Sequence, residues 1–228
     1  MLKLAGPMQA WGAGSRFVHR ETRQEPTKSG VLGLVAAALG RRRVDPVEDL
    51  VGLRFGVRVD QPGQLLRDFQ TAKTLDGSKS MPLSYRYYLA DAVFVAALEG
   101  PSALLEGIDA ALDDPVFPLY LGRRSCVPSA KPSLGLRDGD LESGLRGERW
   151  HAAPWYQRRQ KAEFVSLELV RDAAVEETGE SVRDVPVSFS PERREYLWRT
   201  VVRPAPVSMW TPNGTKGAHQ PMAELGGE

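Results

Sequence analysis

Leu2 and Leu4 flank the polar Lys3, a short alternation that predicts an opening strand. Residues 6–25 lose that period, are rich in Gly and Arg, and read as one long loop, of a length that is usually functional or mobile. A helix follows in "TKSGVLGLVAAALG". Thr27 or Ser29 offers a hydroxyl to the free N–H groups of its first turn. Val31, Leu32, Leu34, Val35 and Leu39 cover more than one face, the pattern of a buried helix. Gly40 suits the position just past its end, and Arg41, Arg42 and Arg43 suit the negative pole of its dipole.

Leu53-Arg54-Phe55-Gly56-Val57-Arg58-Val59-Asp60 alternates cleanly and predicts a half-buried strand. "AVFVAAL", residues 92–98, is a second strand, apolar throughout. The stretch between them is polar, basic and dotted with tyrosines, which predicts a projecting hairpin, or thumb, over about residues 67–88. "PSALLEGIDAALDDP" reads as a helix capped by Ser102, with Leu104, Leu105, Ile108 and Leu112 as its stripe. "PLYLGRRS" supplies a last short strand and turn. The order is β-α-β-β-α-β, the ferredoxin-like unit of the α+β class, whose sheet is open on one face in RNA-recognition modules. After Asp138 the composition shifts to Gly, Glu and Arg, then "EFVSLELV" and "REYLWRTVVRP" read as strands. The expected division is a ferredoxin-like domain with its thumb over residues 1–137, and a β-rich C-terminal extension with a mobile tail over residues 138–228.

Charge changes this picture by its placement. The formal net charge is only +1, so a phosphate-bearing partner has to be held by local clusters. Up to Arg43 the cations are Lys3, Arg16, Arg20, Arg23, Lys28 and Arg41 to Arg43, against Glu21 and Glu25 alone. Arg123, Arg124, Lys131 and Arg137 form a second cluster, with no acid between Val116 and Arg137. Such clusters are either one cationic face or simply solvated surface. The single cysteine, Cys126, forms no internal disulfide and fits a reducing cytoplasm; no signal peptide and no membrane span is expected. Three histidines and that cysteine give no metal-ligand spacing, so neither metal nor cofactor is expected.

"GPMQAWGAGSR" sets three glycines around Gln9, Trp11, Ser15 and Arg16. Glycines let backbone N–H groups approach a phosphate, and Trp11 is either a base-stacking ring or a core anchor. Thr27-Lys28-Ser29-Gly30 before an apolar helix has the outline of a nucleotide-binding P-loop, but Thr27 stands where the preceding Gly belongs and the upstream Gly is missing. "YLGRRSC" puts Arg123, Arg124 and Ser125 after a Gly turn, for phosphate gripping or for solubility, with Cys126 as a small buried filler. In the thumb, Arg67, Lys73, Lys79 and Arg86 interleave with Phe69, Tyr85, Tyr87 and Tyr88, which suits single-stranded nucleic acid or packing on a neighbour. A metal-independent endoribonuclease needs only an acid and a base, roles that His19 with Lys28 or Tyr85 can fill.

Four segments in order, "LAGPMQAWG", "RETRQEPTKSGVLGLVAAALG", "YRYYLADAVFVAAL" and "PLYLGRRSCVPS", resemble the CasD family, subunits of the type I-E Cascade complex of CRISPR immunity within the RAMP superfamily. The likeness runs from Leu2 to about Ser129 and is faint beyond. It implies a non-catalytic RNA-binding subunit that holds the 5′ handle of the CRISPR RNA and closes one end of the Cascade backbone. Its neighbours would be the repeated backbone subunit and the large subunit that reads the PAM. The handle-binding residues it implies are Gln9, Trp11, Ser15, Arg16 and Arg20 in the first loop, Thr27, Lys28, Ser29 and Gly30 at the helix entrance, and Arg123, Arg124, Ser125 and Cys126 in the late turn. Arg67, Lys73, Lys79, Tyr85, Arg86 and Tyr87 carry the thumb. On this reading the free N–H groups at the helix entrance, with Lys28, hold an RNA phosphate.

Overall fold

The first strand, β1 (Leu2–Ala5), buries Leu2 and Leu4 and pairs antiparallel with a later strand whose residues are buried on both faces. The structure is a computed structural model and describes residues 1–12, 19–190 and 192–214. Ser15 and Arg16 lie outside the described residues, as does the expected tail from residue 215 onward.

Residues 6–25, expected as one loop, contain two short strands, β2 (Met8–Gln9) and β3 (His19–Arg20). They form because a tyrosine-rich strand farther along offers its edges, which no local pattern announces. The helix α1 (Lys28–Ala38) is capped by Thr27, whose hydroxyl accepts from Gly30 N. A short helix α2 (Glu48–Val51), unread in the sequence, leads into β4 (Arg54–Gln61). Arg41 and Arg42 turn away from the helix end to Asp49 and Asp45. The hairpin is β5 (Gln64–Gln70) and β6 (Ser84–Ala90), antiparallel, and β7 (Val93–Glu99) returns between β1 and β4. Helix α3 (Ser102–Asp113) starts one residue earlier than expected: Pro101, not Ser102, is at the cap position, and no side chain caps it.

The strand expected in "PLYLGRRS" does not form. Leu119 and Leu121 bury their side chains, and Leu121 N to Cys126 O (2.7 Å) with Cys126 N to Arg123 O (2.8 Å) closes a tight turn there. The edge of β1 is taken instead by the segment after it, through Ser129 N to Ala5 O (2.8 Å), Lys3 N to Pro132 O (2.7 Å) and Leu134 N to Met1 O (2.9 Å).

Residues after 138 add helices α4 (Leu141–Gly147) and α5 (Pro154–Arg159), then β8 (Phe164–Leu167), β9 (Leu169–Asp172), β10 (Glu180–Ser188), β11 (Glu195–Val202) and β12 (Val207–Trp210). "EFVSLELV" is two strands broken at Glu168, whose carbonyl accepts from Val59 N. β8 pairs with β12 in a separate ribbon, whereas β9, β11 and β10 continue the main sheet, in the order β1-β7-β4-β9-β11-β10.

Helices α1 and α3 cover one face of this sheet over Leu4, Phe55, Val57 and Phe94. The opposite face, expected to be open, is covered by α4 and the β8–β12 ribbon. Leu141, Leu145, Leu167 and Val207 pack there on Val95, Ala97 and Leu169. A buried ion pair fastens this layer. Arg58 and Asp60, both fully buried, bond at 2.7 Å, and Arg58 also donates to the carbonyls of Leu145 (2.7 Å) and Arg149 (2.6 Å). Asp60 in turn accepts from His151 N. Beside them burial pushes the Glu148 carboxyl up, but His151 and Arg137 outweigh it and leave it below its ordinary value. A sheet face so covered offers nothing to RNA, so any nucleic-acid surface is elsewhere. Among the described residues no helix is long and apolar enough to cross a membrane.

Candidate nucleic-acid interface

The first loop and the late turn meet at the β5–β6 hairpin, and the helix entrance touches the first loop through Trp11. Gln9 is buried, and its amide donates to Leu4 O (3.1 Å) and Ala92 O (2.8 Å) while its oxygen accepts from Trp11 Nε1 (3.0 Å). Trp11 is 0% exposed and lies against α1 so closely that a Cβ at Gly30 would stand 2.8 Å from its ring. Trp11 is therefore a core anchor, the second of its two readings. Trp11 N donates to Thr22 Oγ1, and Arg23 N to Trp11 O, which fixes the returning limb of the loop on the same anchor.

The helix entrance is filled from within the protein. Lys28 N donates to Asp184 Oδ2 (2.8 Å), and Lys28 Nζ reaches Asp172 Oδ2 (3.1 Å). Arg199 completes the set by bonding both acids, at 2.5 Å to each nearer oxygen, and its guanidinium carbon lies 5.3 Å from the Phe55 ring centre. Burial opposes the Arg199 charge, but the two carboxylates outweigh it and raise its pKa. Free N–H groups and a positive helix pole attract an anion, and here that anion is Asp184. Thr27, Lys28 and Ser29 are buried, and Gly30 faces Trp11. The expected phosphate position is thus taken by a carboxylate, and Lys28 is not available to act with His19.

The late turn reaches back to the first loop. Gly122 has φ +91°, and a Cβ there would meet Ala10 O at 1.8 Å. Only glycine lets the turn close on the Ala10 N to Leu121 O bond (3.0 Å). Arg123 holds three segments together: it donates to Tyr87 O (3.1 Å) and Arg20 O (2.8 Å), with its guanidinium carbon 4.7 Å from the centre of the buried Tyr88 ring. Arg124 and Ser125 are exposed beside it. Cys126 is buried, and burial raises its thiol pKa, as suits a filler. Gly122→Ala is expected to cost about 2–4 kcal/mol, from strain at positive φ plus the displaced backbone bond. A thermal melt that moves by less than a degree or so would show that the turn is not under this constraint.

In the hairpin, β6 is the centre: β5 pairs on one side, and β2 and the parallel β3 on the other. His19 stands opposite Tyr85, and Arg20 opposite Arg86. Arg67, Lys73 and Lys79 are exposed, and Tyr85 and Tyr87 half-buried. Arg86 Nε is buried with no hydrogen-bond partner among the described residues. At the tip the Thr74 and Ser78 hydroxyls and the Ser78 N–H bond the Asp76 carboxylate and hold its pKa down to about 2. Around the hairpin root the structure therefore gathers Arg20, Arg86, Arg123 and Arg124, with Arg67 on β5. Asp172, Asp184 and Arg199, unread in the sequence, lie 144 to 171 residues from Lys28 (199 − 28 = 171), so no local signal announces them.

The sequence profile of the CRISPR-associated Cas5 proteins matches residues 1–202. The "CRISPR system Cascade subunit CasD" of Escherichia coli (strain K12) is 37% identical over 147 residues, which are 55% of this chain and 65% of that relative, just under two thirds of its length. Two solved structures resemble the chain over nearly its whole length. One is described as a crystal structure of a Cas protein, at 40% identity and a TM-score of 0.70, covering 96% of this chain and 98% of that one. The other is a chain of a CRISPR RNA-guided surveillance complex, at 34% identity and a TM-score of 0.75, covering 98% and 96%.

Proposed function

This chain belongs to the Cas5 family of CRISPR-associated proteins, and from that premise we propose that it is a non-catalytic RNA-binding subunit of a Cascade surveillance complex. In this reading it holds the 5′ handle of the CRISPR RNA and caps the complex's backbone, between the backbone subunit and the large PAM-reading subunit. The ferredoxin-like arrangement belongs to the same reading, supported by β1, α1, β4, β7, α3 and the edge segment after residue 128. The β5–β6 hairpin is the thumb.

One observation carries the proposal: the first loop and the late turn, distant in sequence, converge on the hairpin, bridged by Arg123, and leave a group of arginines there. Arg20, Arg86 and Arg124 meet the sugar-phosphate chain. Gln9, Trp11, Thr27, Lys28, Ser29, Gly30 and Cys126 build the scaffold behind them. Phosphate contacts dominate such binding, so log K is expected to fall with log salt at a slope near −3.5 for about five phosphates, at roughly −0.7 each.

The test is to purify the chain, identify any short RNA it carries, and titrate that RNA against the wild type and Arg124→Glu. Tenfold or greater loss in Arg124→Glu, with a slope shallower by about 0.7, is the expected result. Equal affinity and equal slope would reject the interface. RNA cleavage in EDTA that disappears in His19→Ala would replace the binding reading with a ribonuclease.

A further inference from the structure

Side chains alternate across a sheet, so register sorts the hairpin into two faces. Phe69 and Tyr85 stand opposite each other, as do Arg67 and Tyr87, and His19 stands opposite Tyr85. These five share one face, and Tyr88 points to the other. On the other face Tyr88 itself is covered, 2% exposed under Arg123, with Arg20 and Arg86 on the same side. The Tyr85 face is open. Phe69 is 66% exposed, and His19 and Arg67 are exposed.

On that open face the rings are already arranged as a flat stack. His19 lies parallel to Tyr85, with centroids 5.4 Å apart and planes 14° from each other. The Arg67 guanidinium carbon is 5.5 Å from the Tyr85 ring centre. These rings sit outside the buried core clusters, so core packing does not account for the arrangement. Flat aromatic faces ringed by cations suit an unpaired base, whose π-face stacks on the ring while the cations meet its backbone.

We propose that the open face of β5, β6 and β3 is a stacking platform for one or two unpaired bases of a single-stranded RNA, with Tyr85 as its central ring. This rests on the reading that the hairpin root holds RNA, and it adds a contact different in kind. The arginines hold the strand by charge; the platform holds it by stacking, with little regard for sequence. Its loss therefore weakens binding without altering the salt dependence.

The experiment uses the full chain and a fluorescein-labelled single-stranded RNA of mixed sequence, about ten nucleotides long, followed by anisotropy across a salt series. Tyr85→Ala is expected to weaken binding by about tenfold to a hundredfold with an unchanged salt slope. Tyr85→Phe, which keeps the ring, is expected to bind as wild type. Circular dichroism checks that both variants fold. Equal affinity of Tyr85→Ala and wild type overturns the platform and leaves the RNA-binding reading standing. A folded wild type that binds no RNA overturns both. A Tyr85→Ala protein that binds RNA normally but no longer joins its protein neighbours makes this face a protein contact and overturns the platform too.

Discussion

Arg58→Ala is expected to lower the stability of the folded chain by about 3–5 kcal/mol, because it breaks a buried ion pair from one side. The cost is not the lost attraction alone. Asp60 stays fully buried with its charge and keeps only the His151 N–H on its carboxylate. The carbonyls of Leu145, Glu148 and Arg149 lose their shared donor where water has poor access. Those three carbonyls tie the layer of α4 to the sheet, so the loss is expected to loosen residues 141–153 first. A double variant, Arg58→Met with Asp60→Asn, removes both charges, keeps an acceptor for His151 N and fills a similar volume. It is expected to recover about 1–3 kcal/mol of the single variant's loss. Urea denaturation of the three proteins measures both quantities. A single-variant loss below about 1 kcal/mol, or a double variant worse than the single, would mean that the pair does not fasten the layer.

Local pattern made the first half of the chain legible, and distance made the rest opaque. Helix α1 was readable because its signals are adjacent: a hydroxyl at Thr27, an apolar stretch and Gly40 at φ +76°. β4 and β7 were readable for the same reason. β10 was not. Its alternation runs through Val182, Asp184 and Pro186, so a buried carboxylate and a proline stand where apolar residues would have announced a strand. Asp184 is there for Lys28 N, 156 residues away. The short helices α4 and α5 span 7 and 6 residues, too few for a helical period to emerge.

The candidate site divides along the same line. Its three segments stood out as motifs; the first loop and the late turn meet at the hairpin, while the helix entrance turns to Asp184 and Asp172. Whether each residue faces ligand or core was not in the motif. Trp11 and Gln9 became the pillar, and Arg123 became the tie between strands. Polar and aromatic residues at conspicuous spacing mark a place that the fold builds with care; burial then decides which of them meet the partner.

Lys28 gives that distinction its sharpest test. Lys28→Glu is expected to cost at least about 3–5 kcal/mol, since it would set a third carboxylate beside Asp172 and Asp184 with only Arg199 to balance them. RNA capture would vanish with the fold, and the result alone would look like a lost phosphate contact. Lys28→Met separates the two explanations. It keeps most of the side chain's volume and leaves Asp172 bonded to Arg199 and to Phe55 N (2.9 Å). Its expected loss is about 1–3 kcal/mol, enough to see in a urea titration and small enough to leave a folded protein. Because the wild-type ammonium ends on Asp172 inside the molecule, folded Lys28→Met is expected to bind RNA within twofold of wild type, with the same salt slope. A folded Lys28→Met protein whose slope is shallower by about 0.7 would mean that Lys28 neutralises a phosphate after all, and that the cluster around Asp184 opens when RNA arrives.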